Sequence, residues 1–511
     1  MRLVDYLDKG ASLGPDRHCI SMGEVALTYD EAQRMTFRMA RSLATSGIAP
    51  GEHVAVLSGN DASAFMAVLA ISRAGAVWCP INPRNEAAEN AYVLDAFDCV
   101  ALFFERAFMT VVDDLRKSLP KLRLLVCLDG GAEFAPSLAD WLAGDDSPVA
   151  IAPAGPLAMI AGTGGTTGRP KGVMLSDANI EAMTALTLMG FPFRGRPIYL
   201  AMAPLTHAAG VLTFPVLALG GEIVIMPKPD LAEFLTLIER RRVTHTFLPP
   251  TLIYMLLDKA ELNDADLSSL QCFWYGAAPM STARLTEALE KIGPVMAQFF
   301  GQTEAPMVIS MLPPADHFDG DGRIASRRLA SAGRPGPLVQ VETIGADGAL
   351  LPRGETGEIV VRGSLVMMGY YQNAAATAEA TVDGWHRTGD IGYIDDDNCL
   401  FIVDRAKDMI ITGGFNVYSA EVEQALAAHE AVQDSAVIGL PDPKWGERVC
   451  AVVQLRPGAT AQPEDIIALV KARIGSVKAP KEVHVWADLP RSRIGKVLKK
   501  DIRARLLEAD T

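Results

Sequence analysis

The chain has 511 residues, of which 49% are hydrophobic and 21% charged, and its formal net charge is -14. This length exceeds one ordinary domain, so we expect two or more folding units. No block of Lys and Arg offsets the acidic balance, which argues against a nucleic-acid partner, because such a partner needs clustered positive charge.

The start of the chain carries charge at Arg2 and Asp5, too early for a secretory signal. The most apolar stretch, residues 210–226, is interrupted by Pro215 and Glu222, so it predicts a buried helix and strand rather than a membrane span. The seven cysteines stand singly without a CxxC pair, which indicates buried thiols in a reducing compartment. We expect a cytoplasmic protein with no integral membrane segment, and the sequence leaves a homodimer open.

Short apolar runs alternate with helical patterns through roughly the first 300 residues. This alternation predicts an α/β fold with a parallel, doubly wound sheet. The predicted strands cover residues 53–58, 101–105, 124–128, 157–161, 222–226 and 271–275, and two predicted helices cover 62–74 and 230–240.

The pattern changes twice in the second half of the chain. From about residue 333 to residue 403, period-two runs are separated by Gly, Pro and Asp turns, which predicts a small β-barrel-like subdomain of antiparallel hairpins. From residue 404 onward, helices and strands describe a compact α+β unit of about a hundred residues. We therefore predict an N-terminal domain over 1–403 and a C-terminal domain over 404–511.

A Gly/Thr-rich loop directly follows the predicted strand 157–161 and ends at Lys171. Glycine amides can approach anionic oxygens closely, threonine hydroxyls add donors, and Lys171 supplies a positive charge, so the loop suits a polyphosphate. It is not a Walker loop, because Pro170 precedes the lysine and Gly172 follows it. The loop residues are Thr163, Gly164, Gly165, Thr166, Thr167 and Gly168.

This loop resembles the phosphate loop of the adenylate-forming superfamily, which includes acyl-CoA synthetases, luciferases and peptide-synthetase adenylation domains. Gly164 departs from the usual Ser, which removes a hydroxyl but keeps the backbone amides. Segments 276–280, 298–304 and 385–390 resemble further motifs of the family in the family's order. The resemblance implies an ATP-dependent acid–CoA ligase that forms an acyl-AMP intermediate and releases pyrophosphate and AMP, with ATP, Mg²⁺ and coenzyme A as cofactor and co-substrates.

The resemblance also implies the nucleotide site. Thr303 is expected to face the phosphates and Glu304 to hold Mg²⁺, an ion that prefers carboxylate and phosphate oxygens. Asp390 is expected to accept the ribose hydroxyls, with Arg405 as a second ribose or phosphate contact. The adenine-binding positions are Gly276, Ala277, Ala278, Phe299, Phe300, which replaces the family's usual Tyr, and Gly301.

Five further positions, all after residue 404, follow from the same resemblance. Lys496 matches the family's mobile catalytic lysine, and Lys407 matches the hinge about which the C-terminal domain rotates. The Gly413-Gly414 pair and Trp445 match elements that border the pantetheine tunnel, which makes them the predicted CoA-binding residues.

His207 resembles the family's histidine at the acyl pocket and, with Lys171 and Lys496, completes the predicted catalytic set. The predicted pocket walls favour an uncharged fatty or aryl acid. Arg194 and Arg196 leave a malonate-like dicarboxylic acid open. The stretch 208–212 lacks the Asp with which relatives bind an α-amine, so an amino acid is disfavoured. The candidate walls are Phe191, Phe193, His207, Trp274, Tyr275, Phe299 and Met307.

Two other functions remain alternatives at this point. The enzyme could deliver its acyl group to a carrier-protein thiol instead of CoA, although the Trp445 segment favours CoA. A nucleotide-binding sensor without turnover is the alternative from another class, and the presence of every assigned charged residue argues against it.

Overall fold

The computed structural model describes residues 1–163, 169–491 and 497–509. In chain order its strands are β1 His18–Met22, β2 Val25–Thr28, β3 His53–Leu57, β4 Val77–Ile81, β5 Cys99–Phe104, β6 Leu124–Cys127, β7 Leu157–Thr163, β8 Lys171–Ser176, β9 Ile198–Ala201, β10 Glu222–Ile225, β11 His245–Phe247, β12 Cys272–Tyr275, β13 Met296–Gln302, β14 Ala305–Leu312, β15 Arg334–Pro335, β16 Gln340–Ile344, β17 Gly357–Arg362, β18 Gly369–Tyr370, β19 Thr381–Val382, β20 Trp385–Ile394, β21 Leu400–Arg405, β22 Ile410–Thr412, β23 Phe415–Val417, β24 Val432–Asp442, β25 Gly446–Leu455 and β26 Glu482–Trp486.

The α-helices are α1 Leu3–Leu13, α2 Tyr29–Thr45, α3 Ala62–Arg73, α4 Ala87–Ala96, α5 Met109–Ser118, α6 Leu138–Trp141, α7 Asp177–Gly190, α8 Ala208–Val211, α9 Thr213–Ala218, α10 Leu231–Arg241, α11 Pro250–Leu257, α12 Thr282–Lys291, α13 Ser326–Leu329, α14 Ala374–Glu379, α15 Ser419–Leu426, α16 Pro463–Ile474 and α17 Lys499–Ala509. Short 3₁₀ turns cover Arg106–Phe108, Ala260–Asn263 and Pro314–His317.

Two large sheets form most of the N-terminal domain. The seven-stranded sheet has the order β18-β8-β7-β4-β3-β5-β6, and the nine-stranded sheet has the order β15-β14-β13-β12-β11-β9-β10-β1-β2. Neighbours in the middle of each sheet are parallel, such as β3 with β4 and β9 with β11. Antiparallel pairs lie at the β18 edge of the first sheet and at both edges of the second, while the β6 edge of the first sheet is parallel. The predicted α/β class with doubly wound sheets is confirmed.

One buried cluster joins the two large sheets. Val56 and Met159 from the seven-stranded sheet share it with Tyr199 and Trp274 from the nine-stranded sheet, and helices α1, α2, α3, α7 and α9 contribute further side chains. Helices α4 and α5 cover the outer face of the first sheet, and α10, α11 and α12 cover that of the second.

Local sequence explains where several of these helices begin. At α2, Glu31 N donates to the Thr28 hydroxyl at 3.2 Å, and the Glu31 carboxylate accepts from Thr28 N at 2.8 Å. This reciprocal capping box satisfies backbone donors that a helix start otherwise leaves unpaired. Ser176 and Asn179 form the same arrangement at the start of α7, directly after strand β8.

Two smaller sheets complete the chain. Strands β16, β17, β20, β19 and β21 form an antiparallel sheet, as the period-two pattern predicted. Strands β23, β22, β25, β24 and β26 form the last sheet, with α15 and α16 packed in one cluster and α17 in another. The α+β character of the C-terminal domain is confirmed, and the division at residue 403 stays a prediction.

Two further expectations concern the whole chain. None of the helices in the described ranges combines the length and apolar character that crossing a bilayer requires. The seven cysteines, which all lie within those ranges, are buried, and none of them forms a disulfide.

Candidate active site

Strands β7 and β8 form an antiparallel hairpin that frames the predicted phosphate loop. Thr163 and Lys171 are cross-strand partners, and the Thr163 hydroxyl donates to the Lys171 carbonyl at 3.4 Å. A Cβ at Gly172 would lie 2.7 Å from the Phe97 ring, so only glycine fits directly after the lysine. The predicted loop residues Gly164, Gly165, Thr166, Thr167 and Gly168 lie outside the described residues.

Lys171 and Glu304, two predicted site residues from distant segments of the chain, both contact the side chain of Tyr370. The Tyr370 hydroxyl donates to Glu304 Oε1 at 2.8 Å, and the Lys171 ammonium lies 4.9 Å from the centre of the Tyr370 ring. Thr303 and Glu304 form the two-residue turn between β13 and β14, where Gln302 pairs with Ala305. Lys171, the predicted phosphate-binding cation, and Glu304, the predicted metal-binding carboxylate, therefore both contact Tyr370.

The structure supports Glu304 as a residue that could hold Mg²⁺ carried by ATP. Magnesium is usually bound by one or two protein carboxylates together with phosphate oxygens and water. Glu304 is half-buried, and within the described part of the chain its Oε2 accepts no hydrogen bond. The donor set therefore fits a magnesium ion shared with phosphates.

The predicted adenine segments lie against each other at the ends of β12 and β13. A Cβ at Gly276 would lie 2.5 Å from the Phe299 carbonyl oxygen, and one at Gly301 would lie 2.5 Å from Met307 N. Ala277 and Met307 adopt positive φ angles of 66° and 64°, which cost energy for residues other than glycine. Ala278 follows in the same turn, and Phe300 is half-buried beside Phe299. Such strain is typical of binding sites.

Asp390 and Arg405 are cross-strand partners on β20 and β21. Arg405 Nε lies 2.9 Å from Asp390 Oδ1, and the Asp390 side chain is 4% exposed while that of Arg405 is 41% exposed. The predicted ribose contacts therefore form an ion pair with a buried carboxylate and an accessible guanidinium. Gly389, with a φ of 71°, lies within β20 directly before Asp390, where the register between β17 and β20 shifts.

An aromatic cluster occupies the region predicted to bind the acid. The Phe191 ring centre lies 5.9 Å from that of Trp274 and 6.4 Å from that of Phe299. Phe193 is 6.0 Å from Trp274, and Met307 belongs to the same buried cluster. Trp274 Nε1 is buried and has no hydrogen-bond partner among the described residues.

Tyr275 does not join this cluster. It follows Trp274 on β12 and packs into the cluster on the outer face of the nine-stranded sheet. Its hydroxyl lies 3.0 Å from His317 Nε2. Successive side chains of a strand point to opposite faces, so Trp274 and Tyr275 cannot line the same pocket.

His207 precedes the short helix α8, whose Ala209 carbonyl accepts from the Tyr199 hydroxyl at 3.2 Å. The centre of the Tyr199 ring lies 6.1 Å from that of the Trp274 ring, which links the His207 segment to the aromatic cluster. His207 Nδ1 lies 2.9 Å from the Thr206 hydroxyl. Desolvation, helped by the positive charge of Arg84, lowers the pKa of His207, so its imidazole is neutral at pH 7.

The predicted CoA-binding residues form one exposed patch on the C-terminal domain. Gly413 and Gly414 make the turn between β22 and β23 with φ angles of 57° and 82°. Gly413 N donates to the Trp445 carbonyl at 2.7 Å, and a Cβ at Gly413 would lie 2.7 Å from the indole ring. Trp445 is 43% exposed and Phe415 is 59% exposed. A flat apolar surface therefore surrounds the glycine turn.

Lys407 lies in the turn that joins β21 of the antiparallel sheet to β22 of the last sheet. Partial burial and the neighbouring Arg405 lower its pKa. Three residues earlier, Asp404 accepts a hydrogen bond from Ser419 N at the start of α15 and one from the Ser419 hydroxyl at 3.0 Å. Lys496, the predicted mobile lysine, lies outside the described residues.

Three residues close to these groups were missed from the sequence. Tyr370 contacts Lys171 and Glu304, and Asp404 contacts the start of α15. His386 is 4% exposed in β20, and its Nε2 has no hydrogen-bond partner in the described ranges. Nothing local marks Tyr370, because its partners are distant in the sequence.

Two joined sheets, a smaller C-terminal domain, and a lysine and a glutamate that contact the same tyrosine agree with the adenylate-forming class that the motifs predicted. The chain belongs to the AMP-binding enzyme family, whose model matches residues 7–371, and a model of the AMP-binding enzyme C-terminal domain matches residues 421–496. The resemblance inferred from the motifs is confirmed.

Two relatives and one solved structure illustrate the similarity. The chain is 37% identical to the medium/long-chain-fatty-acid–CoA ligase FadD8 of Mycobacterium tuberculosis, covering 95% of this chain and 87% of that protein. It is 34% identical to indoleacetate–CoA ligase of Aromatoleum aromaticum, covering 98% of both. The amide bond synthetase McbA of Marinactinospora thermotolerans is 32% identical, with a TM-score of 0.89 over 98% of this chain and 99% of that one.

Proposed function

We propose that this protein is an ATP-dependent acid–CoA ligase that activates an apolar carboxylic acid as its acyl-AMP. The observation that carries the proposal is the contact of Lys171 and Glu304 with the same tyrosine, at 4.9 Å and 2.8 Å, beside the phosphate-loop hairpin. A cation and a carboxylate that contact the same side chain suit a magnesium triphosphate better than an uncharged ligand. The names of two relatives support a ligase that uses CoA.

In the first step, a carboxylate oxygen attacks the α-phosphorus, the bond to the bridging oxygen breaks, and pyrophosphate leaves. The attacking carboxylate and the phosphates repel each other, so positive charge must balance them in the transition state. Lys171 and Lys496 would supply that charge, and Mg²⁺ on Glu304 would neutralise phosphate oxygens. Asp390 and Arg405 would hold the ribose, and Gly276, Ala277, Ala278, Phe300, Gly301 and Thr303 would surround the rest of the nucleotide.

In the second step, the CoA thiol attacks the acyl carbon, its proton leaves, and AMP departs with the bonding electrons. The apolar patch around Gly413, Gly414 and Trp445 supports a pantetheine arm as the donor, since thin glycine backbone and an exposed indole suit a narrow chain. His207, neutral at pH 7, could accept the thiol proton.

For the acid, we propose an aryl or other compact apolar carboxylate. The proposed pocket walls are buried side chains. The Phe191 ring contacts those of Trp274 and Phe299, and Met307 belongs to the same hydrophobic cluster. Walls of this kind favour a flat hydrophobic acyl group. The unpartnered Trp274 Nε1 could donate to a polar substituent of the ring. Tyr275 is left out of this pocket because it belongs to the opposite face of the sheet.

The test is isotope exchange between pyrophosphate and ATP, measured over a panel of aryl, aliphatic and dicarboxylic acids. We expect exchange with apolar acids, strongest for aryl acids, and acyl-CoA as the product when CoA is added. Absence of exchange with every acid would contradict adenylation. Exchange restricted to dicarboxylic acids would contradict the proposed acid class.

The acceptor is tested by the product formed from the best acid. McbA is named as an amide bond synthetase, so an amine is the second acceptor to test beside CoA. A carrier-protein thiol is the third acceptor. Mass spectrometry of reactions with CoA, an amine or a carrier protein distinguishes a thioester of CoA from an amide or a loaded carrier. An amide formed in preference to acyl-CoA would overturn the CoA proposal.

A further inference from the structure

Tyr370 connects the two large sheets at the candidate active site. It lies in the two-residue strand β18, which pairs with β8 of the seven-stranded sheet, and Tyr370 is the partner of Val173. Glu304, the acceptor of its hydroxyl, lies in a turn of the nine-stranded sheet. Lys171, which faces its ring, is the first residue of β8. One buried side chain therefore spans the two elements that carry the charged groups.

We propose that Tyr370 is a positioning residue that holds Glu304 and Lys171 in the arrangement that ATP and its magnesium ion require. The inference rests on the proposed function, because it assigns Glu304 to the metal and Lys171 to the phosphates. The hydroxyl would fix one carboxylate oxygen of Glu304 and leave Oε2 for the metal. The ring face would hold the Lys171 ammonium by a cation–π contact at the mouth of the phosphate hairpin.

The geometry makes the Tyr370 hydroxyl the donor and Glu304 Oε1 the acceptor of the 2.8 Å hydrogen bond. A hydrogen bond to a charged acceptor is about twice as strong as one between neutral groups, so it can fix the carboxylate orientation.

Backbone contacts hold the tyrosine itself in place. Tyr370 N donates to the Thr377 hydroxyl at 2.9 Å, which ties β18 to helix α14. Met367 N donates to the Glu304 carbonyl at 2.7 Å, so the segment before Tyr370 is attached to the same turn as the side chain. Two attachments to Glu304, one through backbone and one through the hydroxyl, restrict its carboxylate before ATP arrives. Groups that orient a metal ligand in this way typically change metal affinity or activity about 10–100-fold when removed.

The test compares Tyr370→Phe with Tyr371→Phe. Both variants lose one hydroxyl that donates to a carboxylate at 2.8 Å, but the acceptor of Tyr371 is Asp98, on another part of the molecule. Phenylalanine keeps the ring and its contact with Lys171. Calorimetric titration measures ATP affinity with Mg²⁺ and with a chelator, and exchange of pyrophosphate with ATP measures the Mg²⁺ concentration for half-maximal rate.

We expect Tyr370→Phe to weaken Mg²⁺-dependent ATP binding about 10–100-fold and to raise the half-maximal Mg²⁺ concentration, with metal-free ATP binding unchanged. Tyr371→Phe should leave both quantities unchanged. An equal loss of metal-free binding would reveal a structural role and overturn the proposal, as would an unchanged Mg²⁺ dependence. Because the titration needs no turnover, it tests Tyr370 even if no acid supports exchange in the unmodified protein.

Discussion

At the scale of single residues, the proposed acid pocket makes Phe191 a candidate for limiting the size of the acid. Its ring touches both Trp274 and Phe299. We expect Phe191→Leu to open space in the proposed pocket and to raise the ratio of kcat/KM for a bulkier aryl acid over a smaller one about 10-fold. Initial rates of pyrophosphate release with paired acids measure this ratio.

Phe234→Leu is the matched control for this prediction. Phe234 is fully buried in the cluster on the outer face of the nine-stranded sheet, where it contacts Phe273. The same substitution there costs packing energy without touching the proposed pocket. An equal change of the acid ratio in both variants would show that Phe191 acts through general stability.

The sequence gives single charged candidates for the site, but it does not give the residues that contact them. Motif order gave Lys171, Glu304 and Asp390, but the contact between the first two depends on Tyr370, which follows Glu304 by many residues. The prediction that Tyr275 lines the acid pocket is wrong, because strand alternation places it on the opposite face of β12 from Trp274.

At the scale of elements, long periodic segments were predictable and very short strands were not. Helix Ala62–Arg73 and strand Leu157–Thr163 match the predicted helix 62–74 and strand 157–161 because their apolar spacing persists over several residues. Strand Gly369–Tyr370 has two residues, and it forms because β8 offers a free edge. Strand pairing of that kind depends on tertiary structure, so no local sequence pattern predicts it.

The contact between β21 and α15 yields a prediction about the proposed hinge. Asp404 precedes Lys407 in the chain and accepts a hydrogen bond from Ser419, which follows it. Lys499 donates to the Ser419 hydroxyl at 2.5 Å and forms an ion pair with Glu423 at 2.8 Å. Burial raises the pKa of Asp404, and Lys499 opposes that rise. Asp404→Asn should weaken this network by about 1–3 kcal/mol, since a buried donor loses its charged acceptor.

The expected result is faster tryptic cleavage at Arg405 and Lys407, because a loosened α15 exposes the turn that joins β21 to β22. Time courses followed by mass spectrometry measure the cleavage rate. Asp488→Asn is the control, since Asp488 is an exposed residue of the same domain that accepts from the adjacent Leu489 N. Unchanged cleavage in Asp404→Asn would contradict a role for Asp404 in holding the domain.

At the scale of the whole molecule, two buried histidines make stability depend on pH. Burial lowers the pKa of His245 to about 4 and that of His317 to about 4. Their unfolded value is about 6.5, so the unfolded chain takes up protons first as the pH falls. The stabilisation is complete above pH 6.5 and is lost between about pH 6.5 and 4, on the order of 3 kcal/mol for each histidine.

We expect the thermal unfolding midpoint to fall over this range and His245→Gln to have a smaller fall than the unmodified protein. His245 stacks on Phe193 at 4.4 Å, so the variant should also start from a lower midpoint at pH 7. Calorimetric scans at a series of pH values measure both effects. An identical pH dependence in the variant would rule out His245 as a contributor.

The largest motion we expect is rotation of the C-terminal domain about Lys407. A cleft of about 700 Å³ separates α12 from α15 and α16, with Ser281 and Thr282 on one side and Gln424 and Arg473 on the other. Lys496 and the Gly413-Gly414 turn belong to the same domain, yet the proposal gives them different half-reactions. One domain can serve both steps only if it presents a different face to the cleft in each.

Proline at position 407 tests this rotation. Its ring fixes φ near -65° and restricts the preceding residue. The free energy of one of the two domain orientations should therefore rise by about 3 kcal/mol, which slows the step that needs this orientation about 100-fold. We expect Lys407→Pro to retain acyl-AMP formation and to slow conversion of supplied acyl-AMP to acyl-CoA. Lys496→Ala should do the reverse, slowing acyl-AMP formation about 100–1000-fold while largely sparing the thioester step.

Lys407→Ala separates the backbone from the side chain, because it removes the ammonium and keeps rotation free. It should carry out both half-reactions, each measured with quenched-flow mixing and supplied intermediate. If Lys407→Pro forms acyl-CoA at the normal rate, the hinge lies elsewhere in the turn or does not rotate. If Lys496→Ala loses both half-reactions equally, a single fixed domain orientation explains the enzyme better than two.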